Sequence, residues 1–178
     1  MTIRTPILSR RELLKLGAGA SLALATVGVT STLTGCSSSQ PSADFVVLRD
    51  SDLPALRALF PAVVGEGSVL VGNQAALEQA IRQLDTTLAS ASQAVQQDVL
   101  DLLGMLSLPL TRGPLTGIWG DWDAASPAAL EAFLDRWKNS SLDMLRQGYK
   151  ALSQLLLMSW YALPASWGDA GSPGPPVV

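Results

Sequence analysis

Five stretches of the chain repeat apolar residues at the three- and four-residue spacing of a single helix face. The first is Leu53, Leu56, Leu59, Phe60 and Val63, and the second Leu77, Ile81, Leu84 and Leu88. Val95, Val99, Leu102, Leu103 and Leu106 make the third, and Leu130, Phe133, Leu134 and Trp137 the fourth. The fifth runs through Leu145, Tyr149, Leu152, Leu155, Leu156 and Trp160. Start and stop signals bound each stretch. Ser51 or Asp52, with Pro54 in the first turn, opens a helix that ends at Gly65 after Val64. Asn73 caps the second, Ser90 or Ser92 divides it from the third, and the third stops before Pro109. Ser126-Pro127 opens the fourth, and Ser140 or Ser141 caps a fifth from Leu142 to about Leu163, where Pro164 stops it.

Between these helices little is left for a sheet. Phe45 to Leu48 reads as a brief extended segment, and Leu110 to Ala125, with Pro114, several glycines and two tryptophans, as an ordered loop. Ser153 to Tyr161 is apolar almost all round, which suits the centre of the domain or a surface hidden by a partner. The expected fold is all-α, about five helices in a small bundle over residues 45–167. A Gly/Pro-rich tail over 168–178 cannot be helical and is expected to be extended.

The N-terminal region has a different character. Ser9-Arg10-Arg11-Glu12-Leu13-Leu14-Lys15 sets two adjacent arginines before an apolar run from Leu16 to Leu33, the pattern of a twin-arginine export signal. That run closes on Leu33-Thr34-Gly35-Cys36, which resembles a lipobox, so residues 1–35 are expected to be cleaved and Cys36 acylated. Eighteen apolar residues approach the ~20 that a membrane span needs. The glycine and threonine content of the run and the lipobox both favour processing over retention. Residues 36–44 then form a lipidated polar tether. Ser37 rather than aspartate follows the cysteine, which by the sorting rule for such lipoproteins predicts the periplasmic face of the outer membrane, in a host that has one.

Removing the signal sharpens the composition. It takes Arg4, Arg10, Arg11 and Lys15 from the 12 basic residues and only Glu12 from the 15 acidic ones. Eight basic against 14 acidic residues remain, a net charge of −6. Such a chain has no basic stripe for nucleic acid or for an anionic membrane surface, so lipid is its expected membrane attachment. Cys36 is the single cysteine, and the lipobox claims it, so no disulfide forms within the domain. The chain has no histidine, which removes the commonest general base and the Ser-His-Asp and Cys-His nucleophile systems. Asp121 and Asp123 share a loop, but without a twelve-residue calcium pattern they read as a solvated turn. Nothing in the sequence sets a carbonyl or cofactor beside Tyr149 and Lys150. Neither a catalytic nor a metal-binding constellation is expected.

Several segments together resemble a family. They are Gly117-Ile118-Trp119, Phe133-Leu134-Asp135-Arg136-Trp137, Ser140-Ser141 and Arg146-Gln147-Gly148-Tyr149-Lys150-Ala151-Leu152. The most telling is Trp160-Tyr161-Ala162-Leu163-Pro164-Ala165-Ser166-Trp167, followed by Gly171-Ser172-Pro173-Gly174-Pro175-Pro176. From Leu84-Asp85 to this ending, the chain resembles the small (gamma) Tat-signal subunits found with GMC-type flavin-dependent oxidoreductases, including those of gluconate, sorbitol and glucose dehydrogenases. Ser172 stands where such tails carry a tyrosine. The resemblance implies a non-catalytic subunit that passes through the Tat translocase with a large FAD-dependent GMC-type partner, stabilises it and tethers it to the membrane. FAD would belong to the partner. The expected partner surface comprises Trp119, Trp122, Trp160, Tyr161, Trp167, Pro173, Pro175 and Pro176, although Trp137 and Trp160 would serve equally well as core. Two other readings stand beside it: a free-standing lipoprotein that holds a small apolar ligand between its helices, and a structural protein of the envelope.

Overall fold

A computed structural model describes residues 40–169 and 171, all within one compact unit spanning residues 37–178. The expected export signal with Arg10 and Arg11, the expected lipidation site Cys36, and Pro173, Pro175 and Pro176 lie outside the described residues. The described chain is all helical: α1 (Leu53–Val64), α2 (Gln74–Ser90), α3 (Gln93–Ser107), α4 (Pro109–Thr116), α5 (Pro127–Lys138) and α6 (Asp143–Tyr161). Short 3-10 turns at Trp122–Ala124 and Pro164–Ser166 complete it. No described helix is long and apolar enough to cross a membrane.

Six helices thus replace the expected five, because part of the supposed loop is α4. Pro109 occupies its first turn, where the missing N–H costs nothing, and Gly117 ends it in the left-handed region at φ 81°. These are ordinary start and stop signals, masked by Pro114 inside the segment. Three of the expected caps form: the side chains of Asn73, Ser92 and Ser126 accept from the N–H groups of Ala76, Val95 and Ala129. Two do not. Asp52 occupies the cap position of α1 but turns its carboxylate to Arg49, and α6 starts after Leu142 with no side-chain cap. Ser140 Oγ instead accepts from Leu142 N–H (3.1 Å), one residue earlier, and α6 ends at Tyr161 rather than Leu163.

The centre of the bundle is α1. None of its residues is exposed, and α2, α3, α5, α6 and the first 3-10 turn all pack against it. Its one charge, Arg57, donates to Glu78 of α2 (2.8 Å), and this hydrogen bond holds the guanidinium pKa above its ordinary value. The C-terminal half of α6, expected at the centre of the domain or under a partner, is two-faced. Leu152, Leu156 and Trp160 are buried toward α1, α2 and α5, whereas Met158 and Tyr161 stand in solvent.

The segment before α1 forms no strand. Its backbone is held by a side chain: Asp85 of α2, itself buried, accepts from the N–H groups of Val46 (2.8 Å), Val47 (2.9 Å) and Leu48 (2.9 Å). Ser42 N–H closes the loop onto the Leu48 carbonyl at 2.8 Å. Arg49 continues the clamp, bonding both Asp52 oxygens at 2.9 Å and the Leu100 carbonyl of α3 at 2.6 Å. The chain is therefore fastened to the bundle from Ser42 onward, two residues before the expected end of the tether.

Candidate partner-binding surface

Of the aromatic residues expected to meet a partner, Trp119 is the most exposed, at 76 %. Its position follows from the end of α4. Thr116 Oγ donates to the Arg112 carbonyl (2.8 Å) and accepts from Ile118 N–H (3.0 Å), while Gly117 reverses the chain. Ile118 turns into the core, which sends the next side chain outward. The Trp119 indole then lies flat against Gly113 of α4, so close that a Cβ there would sit 2.5 Å from the ring. Leu110, one turn earlier on the same helix and 87 % exposed, extends the apolar surface. The absence of a Cβ at Gly113 is what lets the open indole rest on α4.

Two other tryptophans build the support for this surface. Trp122 is buried, meets Phe133 edge-on at 6.2 Å and donates its indole N–H to the Leu106 carbonyl (3.1 Å). Trp137 stacks edge-on to Phe133 at 4.9 Å, lies against Gly148 of α6, and donates to the Leu115 carbonyl (2.9 Å). The short helix α4 is thus held by indole groups at the chain preceding it and near its own C-terminus. The expected surface is corrected accordingly. Trp122 and Trp160 are core residues, because their neighbours leave the first almost no contact with solvent and the second none. Trp160 keeps one mark of a special position: its buried indole N–H has no acceptor among the described residues.

At the other end of α6, Tyr161 is 48 % exposed and Trp167 half-buried. Asp169 fastens this end to the loop between α1 and α2, accepting from the Ser68 hydroxyl and from Val69 N–H (3.3 Å). That latch was not legible in sequence, since its partners are about a hundred residues apart. Asp121 faces the buried Arg112 guanidinium at 3.7 Å, and no group of three His, Cys, Asp or Glu among the described residues could hold a metal ion. Between α1 and α5 lies an open groove of about 460 Å³, lined by Ala58, Pro61, Ala62, Val71 and Leu130, with Glu66 and Glu131 in its walls.

No known family matches the chain, and neither a curated protein nor a solved structure is similar to it.

Proposed function

We propose that this chain is a non-catalytic small subunit that carries a large FAD-dependent GMC-type oxidoreductase through the Tat translocase, stabilises it, and tethers it to the outer membrane through Cys36. The observation that carries the reading is Trp119, an open indole laid on Gly113 in a chain without histidine. An exposed tryptophan is the residue type that anchors protein interfaces. The twin-arginine pattern and the Trp160-to-Pro176 ending support the same reading from sequence. FAD and substrate would both belong to the partner.

The test is recovery of the native protein from membranes in mild detergent. A yellow flavoprotein should accompany it in equal amount, and Trp119→Ala should cut that recovery severely, since anchors of this kind contribute about 2 kcal/mol or more, a factor of roughly 30 in affinity. Recovery of the chain without a flavoprotein would refute the assignment. A second reading, a lipoprotein holding a small apolar ligand, has the groove between α1 and α5 behind it. It would be favoured by a lipid-like molecule co-purifying with the chain alone.

A further inference from the structure

The chain on either side of Trp119 meets two arginines whose charge the domain leaves poorly matched. Two residues before it, the Arg136 guanidinium of α5 lies over Gly117, so close that a Cβ there would sit 2.7 Å from one of its nitrogens. Arg136 has no carboxylate within 4.0 Å among the described residues. Two residues after Trp119, Asp121 faces Arg112 at 3.7 Å, which is too far for a hydrogen bond. The Arg112 side chain is only 7 % exposed, and its buried Nε has no acceptor among the described residues. Asp121 itself is 92 % exposed. Gly117 and Asp121 are four residues apart, hence separated by no more than about 14 Å. Both guanidinium groups thus stand beside the short chain that carries the open indole.

The other arginines of the domain are treated differently. Arg49, Arg57, Arg82 and Arg146 each meet a carboxylate of the same chain. Acid is not scarce, since residues 36–178 hold 14 acidic against eight basic side chains. A guanidinium taken out of water recovers that cost only through hydrogen bonds to an anion, and its planar fork fits a carboxylate in two parallel bonds. A nearly buried arginine without them is an acceptor's vacancy at the edge of an apolar patch made by Trp119 and Leu110. Tryptophan and arginine together are the side chains that carry most of the energy of protein interfaces. A polyanion such as nucleic acid, or an anionic bilayer, would be repelled by the surrounding net charge of −6. A single acidic side chain on a protein surface would not.

We infer that Arg112 and Arg136 receive an aspartate or glutamate of the protein that covers Trp119, and that Asp121 holds the place of that carboxylate while the surface is open. The inference rests on the proposed partner surface at Trp119, and it does not require that partner to carry a flavin.

Zero-length coupling by carbodiimide tests it on the complex extracted from membranes in mild detergent. Arg136→Lys keeps the charge and supplies an amine, which carbodiimide joins to a carboxylate in contact with it. Mass spectrometry should find that amine linked to an aspartate or glutamate of the partner, a product the native arginine does not form. Asp121→Asn removes the competing carboxylate and should tighten the complex about threefold or more, whereas Arg112→Lys, which loses the fork, should weaken it about tenfold. Arg136→Gln, at an exposed position, should also weaken it and carries the test if Arg112→Lys disturbs folding. Coupling of the Arg136→Lys amine only to carboxylates of its own chain would overturn the proposal. So would a weaker or unchanged complex with Asp121→Asn, which would make Asp121 itself the acceptor or the pair irrelevant. A flavoprotein still recovered in either case leaves the proposed function standing. Coupling to a carboxylate of a protein without flavin would support the site and sink the carrier role, and a chain recovered with no protein bound would overturn both.

Discussion

Replacing Asp85 by alanine should be among the most damaging single changes outside the apolar core. The carboxylate is buried and is the acceptor for three consecutive N–H groups. Its loss leaves the Val47 and Leu48 amides without a partner, while the Val46 amide, beside an exposed side chain, can be rehydrated. A buried polar group stripped of its partner costs about 1–3 kcal/mol, and bonds to a charged acceptor stand at the upper end of that range. Two such groups amount to about 3–5 kcal/mol, set against a typical total stability of ~5–15 kcal/mol. For a domain of this size that corresponds to a fall in Tm of about 10–20 °C. Urea unfolding of residues 37–178 followed by circular dichroism measures the loss, with Asp101→Ala as control. Asp101 is exposed and pairs only with Gln97, so its removal should stay within about 0.5 kcal/mol. An Asp85→Ala domain within 1 kcal/mol of its parent at unchanged urea slope would show that solvent replaces the carboxylate and that the clamp is incidental.

Further predictions concern export, anchoring and the partner. Changing Arg10 and Arg11 together to lysine keeps the charge but removes the planar guanidinium fork, and should block export of the chain and of the proposed flavoprotein alike; appearance of that flavoprotein in the periplasm of the double mutant would refute the proposed carrier role. Cys36→Ser should release the folded domain from membranes, through loss of about 0.8 kcal/mol for each buried acyl methylene; sedimentation with membranes after high-salt washing would point to a retained helix. Deleting residues 172–178 spares the Asp169 latch and should leave the helical signal unchanged while lowering recovery of the flavoprotein. Undiminished recovery would confine the interface to Trp119 and its surroundings.

What was legible in the sequence was local. Asn73, Ser92 and Ser126 act on groups three residues away, so their cap roles follow from spacing alone. Gly65 and the end of α1 were readable for the same reason. The helix α4 was hidden because Pro114 and the glycines outweighed a proper start at Pro109 and stop at Gly117. Asp85 gave no local sign of its task, since its three partners lie 37 to 39 residues earlier. For the tryptophans, residue type alone did not separate Trp119 from Trp122. They are three positions apart in irregular chain, and only the turn at Gly117 and the packing of Ile118 send one outward and the other in.

The central place of α1 has a consequence for the timing of synthesis. This helix is among the first parts of the domain to leave the ribosome, yet one of the helices that cover it, α6, ends at Tyr161, about a hundred residues later. At ~5–20 residues per second the apolar residues of α1 wait roughly 5–20 seconds for that cover. During that interval the nascent chain has Leu56, Leu59 and Phe60 without their final neighbours, a demand on chaperones that ends only when nearly the whole chain has been made. The Tat route proposed for this chain, which carries proteins already folded, would receive it only after α1 has found that cover.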